Sequence, residues 1–244
     1  MLSHNRFTQR LATFLHRPLT AKEEILCSII EKSDGYMFLG GFLSKTETKD
    51  FFTMGIYDHD EQLKRAFSYA GNFSSEQLEL IDRHTCTLYV IGEGGSIENA
   101  NKILDAGSAL LKAGGIAVKV ESSGIAHSME SWKSMTQLKK VYQTFRAFVT
   151  FAGEEDFYYS CSMHWFGYPD VIVPRESSNP SDVASLMQAF LLYNLIEKPV
   201  LKIGETFSID SKSPHYILEQ VECTYFEKEH PFYNPYGVWK LRKK

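Results

Sequence analysis

Residues 85–122 read TCTLYVIGEGGSIENANKILDAGSALLKAGGIAVKVES, a β-favouring run, a glycine-rich turn, an amphipathic run and a second β-favouring run in close succession. Ile97, Ala100, Ile103, Leu104, Gly107, Leu110 and Leu111 fall on one side of a 3.6-residue period, and Glu98, Asn101, Lys102, Asp105 and Lys112 fall mainly on the other. That spacing predicts a helix over 96–113, stopped by Gly114 and Gly115. Strands over 88–91 and 116–120 are expected to share the sheet on which it packs. Gly107 on the packing face predicts a close approach of helix to sheet.

Working outward, the N-terminal side supplies GYMFLGGFLSK at 35–45 and DFFTMGIYDH at 50–59, two aromatic-rich runs separated by KTETK. They predict an antiparallel hairpin, with a bulge at Gly40 and Gly41. Two short helices follow, around Leu63 to Ala70 and through SSEQLELIDRH, where Ser74 or Ser75 can cap. Before all of these, Arg6, Arg10 and Arg17 among Phe7, Leu11, Phe14 and Leu15 predict a short amphipathic helix ending near Pro18.

On the C-terminal side, a helix is expected over 128–141. The runs RAFVTFA, DFYYSCSMHWFG and DVIVP then read as strands. SSNPSDVASLMQAFLLYNLIEKP carries a polar cap, Pro180 in the first turn, an apolar stripe and Pro199 as a stop, so it reads as a helix. Up to three late strands complete the chain. The expected fold class is α+β, with mixed sheets and packed helices, as one body or two closely joined lobes. The division is placed between an N-terminal half, 1–122, and a C-terminal half, 123–244.

Composition narrows function by exclusion. The chain has 244 residues, 43% of them hydrophobic, enough for a sizeable core. Its 26 basic and 30 acidic side chains leave a net charge of −4, of the wrong sign for a general nucleic-acid binder. Cys27, Cys86, Cys161 and Cys223 are scattered, which predicts reduced thiols and a cytoplasmic setting. The sequence reads without a secretory signal or a run long enough for a membrane span.

No motif with a defined chemistry emerges. Gly92-Glu93-Gly94-Gly95-Ser96 sits between strand and helix but matches neither GxGxxG nor a Walker loop, and Glu93 would repel phosphate. His127, near Ser122, Ser123 and Ser128, lacks a nucleophile elbow. Cys161 and His164 would point to opposite faces of a regular strand. The histidines and cysteines have no metal-ligand spacing, so no metal and no cofactor are expected, and no catalytic residue is assigned. The acidic runs Asp58, Asp60, Glu61 and Glu154, Glu155, Asp156, with Trp165 and Tyr168 as aromatic anchors, are the candidate partner-binding residues.

The segments GGIAVKV, SGIAHS with Trp132, FRAFVTF, YYSCSMHWFGYPD and the late helix before PVLKIGETF resemble the bacterial family catalogued as domain of unknown function 4261, over about residues 85–205. The resemblance implies an architecture and a bacterial cytosolic setting, and no activity. Acidic α+β proteins of this size without a catalytic constellation are similar to many immunity proteins. The expected function is therefore non-catalytic protein binding, as an immunity protein that neutralises a basic toxin stoichiometrically. A hydrolase using His127 or His164, and a regulatory adaptor, stay open as alternatives.

Overall fold

The computed structural model describes residues 20–33, 35–138, 140–175 and 179–244. The expected N-terminal amphipathic helix around Arg6 to Leu15 lies outside these residues. The fold is α+β with mixed sheets, and the chain forms two units. Among the described residues, one takes 20–33, 35–93, 101–119 and 126–137; the other takes 94–100, 120–125, 138, 140–175 and 179–244.

The first unit is built on a four-stranded antiparallel sheet in the order β1 (Tyr36–Leu39), β2 (Phe42–Lys45), β3 (Phe51–Asp58), β4 (Cys86–Ile91). Gly40 and Gly41, with φ of +58° and +88°, form a two-residue turn between β1 and β2 rather than the expected bulge. Two adjacent residues with positive φ make the tight hairpin turn whose twist matches the flanking strands, and two glycines adopt it without strain. The aromatic run therefore folds as two strands, and the hairpin becomes a three-stranded meander.

Helix α1 (Ala21–Lys32) opens on a capping box between Thr20 and Glu23. Helices α2 (Leu63–Ala70) and α3 (Ser75–Asp82) follow, the latter capped by Ser74 with Gln77 reaching back. In α4 (Ile97–Lys112), Ala106 and Ala109 are buried with Ile29, Tyr36, Leu43, Phe52 and Met54, and Leu88 and Val90 pack against the same cluster. The helix thus packs on the sheet that contains β4, through Ile103 and Leu110 of the predicted stripe and through Ala106 and Ala109, which lie outside it.

Its second expected strand goes elsewhere. β5 (Ala117–Lys119) pairs antiparallel only with β6 (Ala126–Ser128), in a separate two-stranded sheet. The physical reason is local: Val120 and Gly124 close a turn through the Gly124 N–H to Val120 carbonyl bond of 2.8 Å, with Gly124 at φ +70°. A three-residue strand finds its partner immediately down the chain, at far less loop entropy than a crossover to β4 requires.

Gly107 also serves a purpose other than the expected one. A Cβ there would lie 2.9 Å from the Trp132 ring, so the glycine makes room for that indole rather than for the sheet. Trp132, on α5 (Met129–Leu138), is fully buried and donates its Nε1–H to the Leu104 carbonyl at 3.0 Å.

The second unit holds a six-stranded mixed sheet in the order β10 (Thr206–Phe207), β11 (Tyr216–Val221), β12 (Val238–Lys243), β9 (Asp170–Pro174), β8 (Phe157–Cys161), β7 (Thr150–Gly153). Only the β12–β9 pairing is parallel. β8 and β9 are buried on both faces, which explains why they read as nearly continuous apolar runs. One face receives α7 (Pro180–Glu197), capped by Asn179 with Pro180 in its first turn. The opposite cluster gathers Tyr159, Cys161, Ile172 and Val238 with Phe226 and Phe232.

Two boundaries differ from expectation here. Residues 141–148 form helix α6 (Val141–Phe148), so FRAF belongs to a helix and only Thr150–Gly153 is strand. Thr144, Phe145 and Phe148 are buried at helical spacing, a tertiary demand that overrides the β propensity of the run. Likewise β8 ends at Cys161. Ser162 takes a left-handed conformation, φ +84°, and Met163–Phe166 wind into a 3-10 turn, so the regular-strand geometry assumed for Cys161 and His164 does not apply.

Candidate functional site

Alternation along the first sheet sends Phe52, Met54, Leu43, Leu88 and Val90 to the core. By the same period of two, Phe42, Phe51, Tyr57, Tyr89 and Ile91 point to the other face. There they remain open: Phe51 is 68% exposed, Ile91 65%, Tyr57 58%, Phe42 47% and Tyr89 40%. Met37 on β1 joins them at 46%. The rings of Phe42 and Phe51 meet edge-on at 6.2 Å, and those of Tyr57 and Tyr89 at 5.2 Å. Large apolar residues clustered on one face, rather than scattered, mark an interaction surface.

The acidic run Asp58, Asp60, Glu61 follows the end of β3, and all three residues are exposed; Asp58, alternating with Tyr57, carries its side chain toward α1. Asp58 and Asp60 join Tyr57, Thr87 and Tyr89 in lining a shallow cleft of about 280 Å³. A histidine pair holds the loop in place. His59 and His84 stack at 4.3 Å, and His59 Nδ1–H donates to the His84 carbonyl at 2.8 Å. His84 donates from Nδ1 to the Ile81 carbonyl at 2.7 Å and accepts the Asp60 N–H at Nε2, 3.1 Å, which fixes the tautomer with its proton on Nδ1. The Lys22 ammonium lies 2.9 Å from Asp58 Oδ1 with both side chains well exposed.

The other predicted residues belong to the second unit. Glu154, Glu155 and Asp156 form the exposed β7–β8 turn, closed by the Glu154 N–H to Phe157 carbonyl bond at 2.8 Å. Trp165 is half-buried, its indole N–H donating to Ser122 Oγ at 2.8 Å and its ring lying 5.1 Å from Phe148. Tyr168 is half-buried, and its carbonyl accepts from Asn234 Nδ2 at 3.0 Å.

That unit also contains a buried polar hub. Asp170, fully buried at the start of β9, accepts from Ser160 Oγ at 2.6 Å, Met163 N–H at 3.3 Å and Asn234 Nδ2 at 2.6 Å. Burial pushes its carboxyl up to about 6 from the ordinary 3.8, against the opposing pull of these donors. Burial likewise raises the Cys161 thiol, with Asp170 and Cys223 adding to the rise, which keeps it protonated and unreactive. His164 is held toward its neutral form by burial, and its Nδ1 finds no hydrogen-bond partner among the described residues. His127 is buried in the first unit, 5.6 Å from the Trp132 ring.

The glycine-rich turn 92–96 acts as a helix cap. Ser96 Oγ accepts the Asn99 N–H at 3.1 Å and Gly94 carbonyl accepts Asn99 Nδ2 at 2.9 Å. Among the described residues, no group of three or more histidine, cysteine or acidic side chains has the geometry to hold a metal. No described helix is long and apolar enough to cross a membrane.

Asp58, Asp60 and Glu61 stand out in the sequence, whereas Tyr57, Thr87 and Tyr89 beside them, and Phe42, Phe51 and Ile91 beyond, do not. A signal existed in DFFTMGIYDH, where Phe52, Met54 and Ile56 alternate with Phe51, Thr53 and Tyr57.

Comparison with known proteins places a family similarity in the second unit. Residues 159–242 match the model of a family described as Domain of unknown function (DUF4261). The match overlaps the segment read as resembling that family and continues to Arg242; it takes in Ser160, Asp170 and Asn234, the members of the buried hub. No curated protein and no solved structure matches the chain.

Proposed function

We propose that this chain is a non-catalytic protein-binding protein that acts by stoichiometric association, as an immunity protein that neutralises a basic toxin in the bacterial cytoplasm. The observation that carries the reading is the open face of the first sheet, where Phe42, Phe51, Tyr57, Tyr89 and Ile91 stand exposed together. Aromatic side chains held by a rigid sheet make strong anchors because little conformational entropy is lost on binding. The acidic loop at its edge would speed encounter with a basic partner. The free thiols Cys86, Cys161 and Cys223 fit a reducing compartment.

The test is complex formation with the protein encoded beside this chain in its genome. The purified pair should elute as a 1:1 complex on size exclusion. A Phe51→Ser/Ile91→Ser double variant, whose side chains are exposed, should fold normally and lose that complex. Retention of full affinity by the folded double variant would place the interface elsewhere. Turnover of a toxin or toxin product by substoichiometric chain would favour the hydrolase alternative.

A further inference from the structure

We propose that the cleft lined by Tyr57, Asp58, Asp60, Thr87 and Tyr89 is a receptor for one arginine side chain of a basic protein partner, whose neighbouring apolar residues cover Phe42, Phe51 and Ile91. The assignment rests on the reading of the open face as an interface and adds to it the chemistry of the group recognised.

Three features of the cleft select a guanidinium. Two tyrosine rings meet edge-on at 5.2 Å and both are substantially exposed, so a π-face is presented at the wall of the cleft. A planar delocalised cation stacks on such a face and keeps its in-plane N–H groups for other acceptors. The acceptor is Asp60, which lines the cleft, and an arginine pairs with a carboxylate in a fork that a lysine cannot reproduce. The volume, about 280 Å³, lies below the range of about 300–1,000 Å³ typical of small-molecule sites and suits one side chain.

Asp58 lines the cleft but, alternating with Tyr57, carries its carboxylate to the α1 side of the sheet, where Lys22 Nζ sits 2.9 Å from Oδ1. Asp60 Oδ1 accepts the Gln62 N–H at 2.9 Å, which orients its carboxylate without neutralising it. The surface is bipartite along β3: the cleft lies at Tyr57, and the apolar end at Phe51, six residues away or roughly 20 Å. A partner must therefore present an arginine and an apolar group at that separation.

Gly55 supplies a clean probe. A Cβ at this position would lie 2.7 Å from Tyr57 Cε2, so the tyrosine ring rests over the glycine. The ring is exposed and can swing outward, so Gly55→Ala should reshape the cleft while leaving the fold intact.

The experiment is an NMR titration of the isotope-labelled full chain with N-acetyl-arginine methylamide, beside its uncharged isostere N-acetyl-citrulline methylamide. The arginine probe should give saturable shifts at Tyr57, Asp58, Asp60, Thr87 and Tyr89. Gly55→Ala and Asp60→Asn should each weaken it at least about threefold, and raised salt should weaken it further. Equal shifts from the citrulline probe, or arginine shifts spread equally over Glu154, Glu155 and Asp156, would overturn the assignment. So would an unchanged partner complex in Gly55→Ala and Asp60→Asn when Phe51→Ser/Ile91→Ser abolishes it; in that case the interface reading stands and the arginine receptor falls.

Discussion

Replacing Asp170 with asparagine sets burial against hydrogen bonding at one atom pair. Because the folded-state value of about 6 lies above the ordinary 3.8, the folded chain holds the proton more tightly than the unfolded chain. This contribution is fully present below about pH 4 and is lost as pH rises through about 6, on the order of 3 kcal/mol at roughly 1.4 kcal/mol per pH unit. The Asp170→Asn variant would have no such titration. The new amide would, however, face the Asn234 Nδ2 donor now 2.6 Å from Asp170 Oδ2. Flipping Asn234 would sacrifice its bonds to the Tyr168 carbonyl and from the Tyr236 N–H. That mismatch costs about 1–3 kcal/mol at every pH. Urea unfolding followed by the fluorescence of Trp165 and Trp239, in the same unit, should show Asp170→Asn gaining about 3 kcal/mol on wild type between pH 4 and pH 7.5. A constant difference would mean that the donors offset burial completely. A wild-type advantage that grows with pH would mean that they overcome it, and the assignment of burial as the dominant cause would be wrong.

Gly107→Ala pits helix propensity, about 1 kcal/mol in favour, against overpacking of the buried Trp132 ring, about 1–3 kcal/mol against; thermal melts should show net destabilisation, and a stabilised variant would contradict the packing geometry. Ser74→Ala removes the cap of α3 and should cost about 1 kcal/mol in chemical denaturation, whereas Ser75→Ala should cost less, since Ser74 makes the capping bond. Chelator or reductant should leave the melting temperature nearly unchanged, and a large drop with either would reveal a metal or disulfide contribution. Reversing Asp58, Asp60 and Glu61 to lysine should slow association with a basic partner and flatten its salt dependence in stopped-flow measurements, with dissociation changed less.

Local signals carry furthest in the sequence. A cap at Ser74 or Ser75, Pro180 at the start of the long helix and an amphipathic helix over 97–112 are each read within one or two helical turns; the structure caps α3 with Ser74, sets Pro180 in the first turn of α7 and forms α4 over Ile97–Lys112. Expectations fail where distant or conformationally unusual residues decide. Gly40 and Gly41 read as a bulge until β1 is paired with β2, which makes them the turn between Leu39 and Phe42. FRAF is β-favouring in isolation, and only its burial at helical spacing makes it a helix. Ser162 gives no hint of a left-handed backbone. The open face is a register property: a one-residue slip of β3 against β4 would move Tyr57 and Phe51 to the core face. Asp170 is visible in the sequence as a lone carboxylate, but its bond to Asn234 depends on the return of the chain 64 residues later.

Dose is the most direct measure of the central claim. Cells expressing the protein encoded beside this chain, at a fixed toxic level, should be rescued only when this chain reaches an equal molar amount, and rescue should fail in proportion below it. The Phe51→Ser/Ile91→Ser variant, expressed and folded to the same level, should give no rescue at any dose. Protection by a small fraction of an equivalent of wild-type chain would contradict stoichiometric binding and point to turnover.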